Sequence, residues 1–442
     1  MKDTQTELLF DSIDGKKVVA DFSGGDVSSD AGLLLVRSVG RGMRLFERIA
    51  SVIPDARRAG SVDHEVVSLL RQRAYQICAG YFHAIDCNRL RNDPVMKVVC
   101  ERPAVDSAGL GGQSTHSRFE NAVGLSTQYR IAREMLSIFL DSYRKAPTRI
   151  VLDIDDTCDP THGAQQLTLF NAHDDTYCYR PIHIYEGKSG KLVAAMLRPG
   201  KRASADEAAA ILVRVLKAIR QRWPRTHIHL RGDSHFCGEP VMRLCESMSR
   251  VTYTLAMGKN AVLERLCEEG FRYQRGYRGE PNYRHYEAFD YAAGTWSRPR
   301  RTLARVEVKG ASEDVRYVIT NIAGDSAAHI YENIYCQRGQ AENWIKDHKN
   351  ALRSDLTSCH RFAANQFRVL LHSLAYMLMH EFRARALRRT ELARSQMDTI
   401  RCRLLKIGAQ VTQSARRIRF HLPSAMATSP LLHAAYNSIN TG

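Results

Sequence analysis

The sequence lacks the long apolar runs and the leader that would direct it to a membrane or out of the cell. Its longest apolar stretch near a plausible span, residues 369–379, is about half the length that a bilayer crossing needs, and His372 interrupts it. The N-terminus carries Lys2, Asp3 and Glu7 where a secretory signal would have an apolar segment. We therefore expect no membrane helix and a cytoplasmic protein.

Paired cysteines are also missing. The 11 cysteines stand singly between Cys78 and Cys402, their number is odd, and no C-x-x-C pair occurs. This pattern favours reduced thiols over a disulfide framework or a zinc ribbon. Most of the cysteines are expected to be small apolar core residues.

The glycine patterns of nucleotide-binding loops are incomplete. Gly187-Lys188-Ser189 has Ile182 where a phosphate-binding loop requires its first glycine. Gly109, Gly111 and Gly112 lack the next glycine of a dinucleotide fingerprint. These absences exclude both common ways of binding a nucleotide through a glycine-rich loop.

Acidic residues are scarce relative to basic ones. The chain has 64 Lys and Arg against 47 Asp and Glu, a net charge of +17. Between Arg361 and Phe420 there are 13 basic residues and 3 acidic ones. Any one of these arginines could belong to a solvated helix face, but their clustering favours a polyanion with a phosphate backbone as partner. With 44% apolar residues, the chain can bury a large core in roughly two to four structural units.

The periodicity of apolar residues predicts mixed α and β structure. Alternation at 148–157, 177–200 and 226–236 predicts a strand, a β-hairpin and a further strand, and the amphipathic segment 204–222 predicts a helix between the last two. Short strands are predicted within 1–35, helices over 61–145, more strands over 251–322, and helices again from about 328 to 389.

Three acidic residues lie where a metal site would need them. Asp155 is on the first predicted core strand, Asp233 is at the end of a later one, and Glu342 is inside a helix. Divalent cations such as Mg²⁺ are held by carboxylates that converge from separate elements. Acidic side chains at strand ends and on a facing helix can converge in this way.

The surroundings of Glu342 form a distinct pattern, Tyr335-x2-Arg338-x3-Glu342-x6-Lys349. On a regular helix Arg338, Glu342 and Lys349 share one stripe, so two cations would flank the carboxylate. A surface Arg–Glu pair worth about 0–1 kcal/mol is the ordinary explanation. Cations beside a carboxylate also suit a metal-assisted attack on a phosphodiester.

This spacing resembles the third-motif signature of bacterial insertion-sequence transposases of the DDE class. Residues 152–163 (LDIDDTCDPTHG) and 230–236 (LRGDSHF) are similar to the segments that carry the first and second aspartates of that family, and 114–121 (STHSRFEN) is similar to a segment that precedes its core. The resemblance spans about residues 60–420.

The resemblance implies an α/β fold: a ribonuclease-H-like mixed sheet flanked by helices, with a β-rich insertion and an N-terminal, mostly helical domain. It implies that Asp155, Asp233 and Glu342 are catalytic and bind two Mg²⁺ ions, which Mn²⁺ can replace. Tyr335, Arg338 and Lys349 would contact the DNA. The expected partners are double-stranded DNA, as terminal inverted repeats and target, and a second copy of the chain in a homodimer on DNA.

The expected domain organisation follows from these predictions. It comprises 1–145, a strand cap and helical DNA-binding module; 146–240, the first part of the catalytic core; 241–326, the β-rich insertion; 327–390, the second part of the core; and 391–442, a basic C-terminal segment.

Two alternatives compete with a transposase. Asp153-x-Asp155-x-Thr157 also fits the nucleophile motif of haloacid-dehalogenase-like phosphatases, with Lys201 or Lys217 as their lysine. The predicted hairpin at 177–200 argues against it, because such phosphatases need parallel strands there. The other alternative is a DNA-binding protein without catalysis. The family's Asp-x-Thr pattern selects Asp155 as the first carboxylate, and Asp153, on the same strand face, is the competing choice.

Overall fold

The computed structural model describes residues 7–58, 60, 62–267, 282–310 and 312–440. The chain divides into two compact units. The first comprises Met1–Ala122, Ala351–Arg353 and Leu374–Gly442, and the second comprises Val123–Asn350 and Ser354–Ser373. The predicted helix start at Ser61 and residues 268–281 of the predicted insertion lie outside the described residues.

The first unit is mostly helical and begins with a β-hairpin. Its first part contains β1 (Leu8–Ile13), β2 (Lys16–Ala20), β3 (Val27–Ser28), α1 (Leu33–Met43), α2 (Leu45–Ser51), α3 (Val66–Ala79), α4 (Asp86–Leu90), α5 (Pro94–Val99) and α6 (Gln113–Ala122). The buried residues of α3 include Leu69, Leu70 and Ile77, which the helical spacing singles out. The helix ends at Gly80, whose positive φ suits a residue without a side chain.

The central sheet lies in the second unit. Its eight strands are β4 (Arg149–Asp156), β8 (Ile182–Glu186), β9 (Leu192–Met196), β10 (His227–Gly232), β11 (Val251–Met257), β12 (Asn282–Tyr291), β13 (Arg300–Lys309) and β14 (Ser312–Thr320). They are ordered β12-β13-β14-β11-β10-β4-β8-β9. Strand β10 runs parallel to both β4 and β11, and the remaining neighbours are antiparallel.

This topology confirms the ribonuclease-H-like fold. An antiparallel meander, β4-β8-β9, is followed by a helix, α8 (Ala205–Arg222), and by β10, which returns to the far side of β4. Ser204 begins α8 with a reciprocal capping box to Glu207, as its sequence favours. The predicted hairpin is β8 and β9, joined through the turn at 187–190.

The two faces of the sheet differ in character. One face of the sheet packs in a large apolar core against three helices, α7 (Leu125–Asp141), α8 and α9 (Glu239–Glu246). This face includes Ile150, Leu152 and Ile154 of β4. Because side chains alternate along a strand, Asp153 and Asp155 point to the opposite face. This second face carries the polar residues of interest.

A small sheet is inserted in the chain between β4 and β8, which are themselves paired in the central sheet. Its strands are β5 (Asp159–Pro160), β6 (Leu169–Asn171) and β7 (Thr176–Tyr179), paired in the order β5-β7-β6. Strands β11 to β14 continue the central sheet beyond β10, so the predicted β-rich insertion shares one sheet with the core. The domain boundaries as a whole remain a prediction.

The segment with the Tyr-Arg-Glu-Lys pattern is helical, but its winding changes repeatedly. It contains α10 (Ala327–His329), a π-helix (Ile330–Tyr335), a 3₁₀ turn (Cys336–Gly339), α11 (Gln340–Lys346) and a second π-helix (Asp347–Ala351). The single stripe expected of a regular helix is therefore wrong, because tight and wide turns rotate successive side chains by different angles. The long α12 (Phe362–Ala386) follows.

The C-terminal part of the first unit completes a small sheet. Helix α13 (Met397–Ile400) precedes β15 (Ala409–Ser414) and β16 (Arg417–His421), and α14 (Ser429–Asn440) follows. Strand β15 pairs with both β16 and β3. In the described part of the chain, no helix is long and apolar enough to cross a membrane.

Candidate active site

Asp155 and Asp233 lie side by side at one edge of the central sheet. Asp155 is near the end of β4, and Asp233 directly follows β10. The two strands are parallel neighbours, with Ile154 opposite Gly232 in register. Because the carboxyl ends of parallel strands meet at the same edge, the fold itself brings these two carboxylates together, as the sequence predicts.

The environment of Asp155 disfavours its negative charge. Burial raises the pKa of Asp155 to about 6; Arg338 opposes this shift, and Asp233 and Asp156 add to it. Adjacent carboxylates in a partly desolvated place repel each other. A cation between them would relieve that repulsion.

Arg338 provides one positive charge at this place. Its Nη1 donates a hydrogen bond to Asp155 Oδ2 at 2.8 Å, and the two side chains are 16% and 11% exposed. Arg338 also shares a side-chain hydrogen bond with Tyr335, and burial raises the pKa of Tyr335. Arg338 thus contacts Asp155 directly, and Tyr335 is linked to it through Arg338.

Lys349 is bound to the segment that leaves β4. Its Nζ donates to Thr157 Oγ1 at 3.2 Å and to the backbone carbonyl of Cys158. It also lies 3.9 Å from Asp159 Oδ1, inside a region where burial raises the pKa of Asp159 to about 7. Asp159 is a fully buried residue of β5.

Glu342 is exposed on α11. The helix is held near the meander by Trp344, whose ring centroid lies 5.8 Å from that of Tyr185 on β8. Gly190 permits this packing, because a Cβ there would lie 2.6 Å from Trp344 Nε1. Among the described residues, Arg338 and Lys349 pair with other acids, and neither forms an ion pair with Glu342. Asp155, Asp233 and Glu342 do not all lie within 4.8 Å of one another.

Asp153 occupies a very different position from Asp155. Arg231 on β10 holds it in a two-bond ion pair, Nε to Oδ1 at 2.6 Å and Nη2 to Oδ2 at 2.7 Å. The two side chains are 0% and 4% exposed. A carboxylate that is fully enclosed and paired through both oxygens cannot act as a nucleophile or as an open metal ligand. This pairing argues for Asp155 and against the phosphatase, as does the antiparallel β4–β8 pair.

Sequence reasoning missed Arg231 and its role in the site. In addition to pairing with Asp153, its Nη1 donates to the carbonyl of Ile334 at 2.8 Å, next to Tyr335. One guanidinium therefore ties β4, β10 and the helical segment together. Its position before Gly232-Asp233 was visible in the sequence, but a buried ion pair across two strands leaves no local pattern.

A second missed group surrounds Asp156. Burial by itself would raise the pKa of this carboxyl, but hydrogen bonds from His235 and Arg180 hold it at about 2. Arg180 Nη2 lies 2.9 Å from Asp156 Oδ1, and His235 has a raised pKa because of the same carboxylate. Asp156 is therefore a charged structural partner beside the two aspartates.

The residues present fit a hard divalent cation. Asp155 and Asp233 offer carboxylate oxygens at neighbouring strand ends, and Glu342 offers a third from an exposed helix position. Oxygen ligands of this kind, with water and phosphate completing the shell, are the ligands that Mg²⁺ prefers.

Comparison with known protein families identifies one family that matches nearly the whole chain. A family model described as "Transposase DDE domain group 1" matches residues 10–441. The search of curated proteins returned no match. Among solved structures, a piggyBac transposase synaptic complex with hairpin DNA is similar at 10% sequence identity and a TM-score of 0.43, covering 86% of this chain and 80% of that one.

Proposed function

The chain belongs to the group 1 DDE-domain transposases, enzymes that cleave DNA and transfer its strands, and we propose that it mobilises a bacterial insertion sequence by acting on the terminal inverted repeats. Asp155, Asp233 and Glu342 are the proposed catalytic carboxylates. The observation that carries this assignment is the meeting of Asp155 and Asp233 at one sheet edge, with Arg338 bonded to Asp155. Because the DNA of a bacterium lies in the cytoplasm, the proposed location of the enzyme is the cytoplasm.

Enzymes of the DDE class use divalent metal ions, and we propose that the three carboxylates hold two Mg²⁺ ions, with Mn²⁺ as a substitute. Ions held there would activate a water or the 3′-hydroxyl of the DNA as nucleophile and would stabilise the charge that develops at the phosphodiester. The chain's own contribution is to fix two carboxylates on adjacent strands and to bring the third on α11. Arg231, through Asp153 and Ile334, keeps these elements in register.

The cations of the motif are proposed to bind DNA near the cleaved end. Arg338 and Lys349 lie on the same helical segment as Glu342. Arg338 binds the Asp155 carboxylate itself, and Lys349 binds the hydroxyl of Thr157 and the carbonyl of Cys158. Because phosphate oxygens carry charge, they are stronger acceptors for Lys349 than this hydroxyl and this carbonyl. Tyr335, which is hydrogen-bonded to Arg338, would orient that guanidinium towards the phosphate backbone of the DNA.

Binding of the repeats is assigned to the basic and helical parts of the chain. The helices within 61–145 are the proposed readers of the terminal sequence, and the arginines of 391–442 supply salt-dependent affinity. Replacing Arg416, Arg417 and Arg419 with Ala should reduce the slope of log affinity against log salt by about 2 to 3 if all three contact phosphates. Since both element ends must be held during transfer, a homodimer on DNA is proposed.

The test is cleavage of a DNA fragment that carries the repeats flanking the gene, with Mg²⁺ present and absent. We expect Mg²⁺-dependent cuts at the repeat ends by the unmodified chain, and none by Glu342→Gln. The matched control is Glu264→Gln, which neutralises an exposed acid away from the motif and should cut normally.

The outcomes separate the alternatives. Specific binding without cleavage under several metals would favour an inactive copy or a non-catalytic DNA-binding protein. Cleavage that persists in Glu342→Gln would remove Glu342 from the site while leaving the family assignment intact.

A further inference from the structure

Cys158, Asp174 and Cys178 form a second cluster of metal-binding side chains, apart from the three carboxylates. One ligand atom from each residue lies within 4.8 Å of the other two. Within the described residues, this is the one group of three or more His, Cys, Asp or Glu side chains that meets this distance. The catalytic carboxylates do not belong to it.

All three residues belong to the small sheet inserted between β4 and β8. Cys158 precedes β5, Cys178 is in β7, and Asp174 is in the turn between β6 and β7. Cys178 is buried, and the other two are partly exposed. The site is therefore partly enclosed and still within reach of an ion from solvent.

The strand register favours a metal bridge over a direct disulfide. Pro160 pairs with Cys178 and Asp159 with Tyr179, and the amide of Thr157 donates to the carbonyl of Pro181. Cys158 and Cys178 are thus diagonal neighbours on one face of the ribbon, where Cα atoms lie about 7–8 Å apart. Disulfides usually need about 4.4–6.8 Å. Two thiolates on one tetrahedral Zn²⁺ are about 3.8 Å apart, which leaves room for the wider backbone spacing.

The third ligand is already oriented. Arg180 forms an ion pair with Asp174 Oδ2, and the amide of Asp174 donates to Asn171 Oδ1. Carboxylates that bind metals are commonly held by such partners. The carboxylate of Asp174 is therefore held in place before any ion binds.

We propose that Cys158, Cys178 and Asp174 bind a Zn²⁺ ion that is structural and separate from the catalytic metals. Two thiolates and one carboxylate are a donor set for Zn²⁺ rather than for Mg²⁺, and water completes four-fold coordination.

The ion acts on the segment that leaves Asp155. The carbonyl of Cys158 accepts from Lys349, and Arg180, which holds Asp174, also holds Asp156. Fixing Cys158 to β7 therefore fixes the acceptor of the motif lysine and the residue after the first catalytic aspartate.

Metal analysis of the full chain, purified under reducing conditions and dialysed, tests the proposal. We expect about one Zn²⁺ per chain, and a thiolate-to-cobalt charge-transfer band after replacement by Co²⁺. Cys158→Ser and Cys178→Ser should each lower zinc affinity by at least about 10-fold. Cys402→Ser, which changes an exposed cysteine elsewhere, should change neither zinc content nor the cobalt band.

Zinc-free protein that gives no cobalt band with its thiols reduced would overturn the proposal, and so would a Cys158–Cys178 disulfide as the stable native state. Because the unmodified chain is measured first, misfolding of a variant does not obscure the result. The readout is independent of DNA cleavage, so an inactive enzyme could still confirm the zinc site.

Discussion

The two ends of the acidic stretch on β4 put the same chemical groups to different uses. Around Asp153, a carboxylate and Arg231 are enclosed and joined through two hydrogen bonds. Around Asp155, two residues further on, a carboxylate meets Arg338 through one bond at an edge that is still partly open. The pair at Asp153 joins strands, whereas Asp155 accepts hydrogen bonds from Arg338 and from the backbone amide of Asp156 and lies beside a second acid, Asp233, at the sheet edge. Exposure and the number of bonds, more than residue type, distinguish a structural carboxylate from a reactive one.

The largest effect is expected at the open end. Asp155→Asn should reduce Mg²⁺-dependent cleavage by about 10³-fold or more, because a charged metal ligand is lost without added bulk. Folding and repeat binding should persist, as measured by circular dichroism and gel shift. Cleavage within tenfold of normal would show that Asp155 is not a ligand and would erase the contrast with Asp153.

The enclosed end should respond in stability. Asp153→Asn leaves Arg231 buried without its charge partner, and we expect unfolding free energy to fall by about 3–5 kcal/mol in urea titrations. The paired change Asp153→Leu with Arg231→Met should recover most of that loss, since two apolar groups need no partner. If Asp153→Asn were as stable as the original chain but inactive, Asp153 would be the catalytic residue.

A pH experiment sharpens the comparison at His183, which pairs in register with Asp155. Burial, aided by Lys349, lowers the pKa of His183 to about 4 from an ordinary 6.5. The unfolded chain therefore binds a proton at His183 more tightly than the folded chain does, so acid favours unfolding. The contribution of His183 to the free energy of unfolding is fully present above about pH 6.5 and is lost as the pH falls towards 4. It amounts to about 3 kcal/mol at most.

His183→Leu should remove this dependence. As the pH falls from 7 to 4, the original chain should lose more unfolding free energy than the variant does. His173→Leu, at an exposed position, is the matched control for replacing a histidine with leucine. A constant difference for His183→Leu would mean that His183 is not held neutral.

The smallest effect is expected at Lys349. Lys349→Ala removes charge-assisted bonds worth about 1.5 kcal/mol, which corresponds to about a tenfold loss of cleavage. Metal binding should be retained, which calorimetry with Mg²⁺ can check. Lys346→Ala, an exposed change on α11, is the control; equal effects from both would assign Lys349 a general electrostatic role only.

Much of the fold could be predicted from local pattern. The capping box at Ser204, the hairpin of β8 and β9, and the strands that carry Asp155 and Asp233 all have signatures within a few residues. The spacing of Tyr335, Arg338, Glu342 and Lys349 identified the family, and the family match confirms it. The assignment of the individual site residues remains a prediction.

Other features were beyond local pattern. The regular helix predicted for the motif is replaced by turns of three windings, and in this segment the carbonyl of Ile334 accepts a hydrogen bond from Arg231, a residue distant in sequence. The choice between Asp153 and Asp155 depends on a partner 78 residues away. The pairing of β11 with β10 and β14 likewise depends on distant segments.

The sequence by itself determined the kind of chemistry, since the identity and spacing of the acidic and basic residues do not depend on the conformation of the chain. The tertiary structure alone decided which acid is enclosed and which is open. Burial and pairing depend on the surroundings of a side chain. Those surroundings form only when β4, β10 and the helical segment with the Tyr-Arg-Glu-Lys pattern come together.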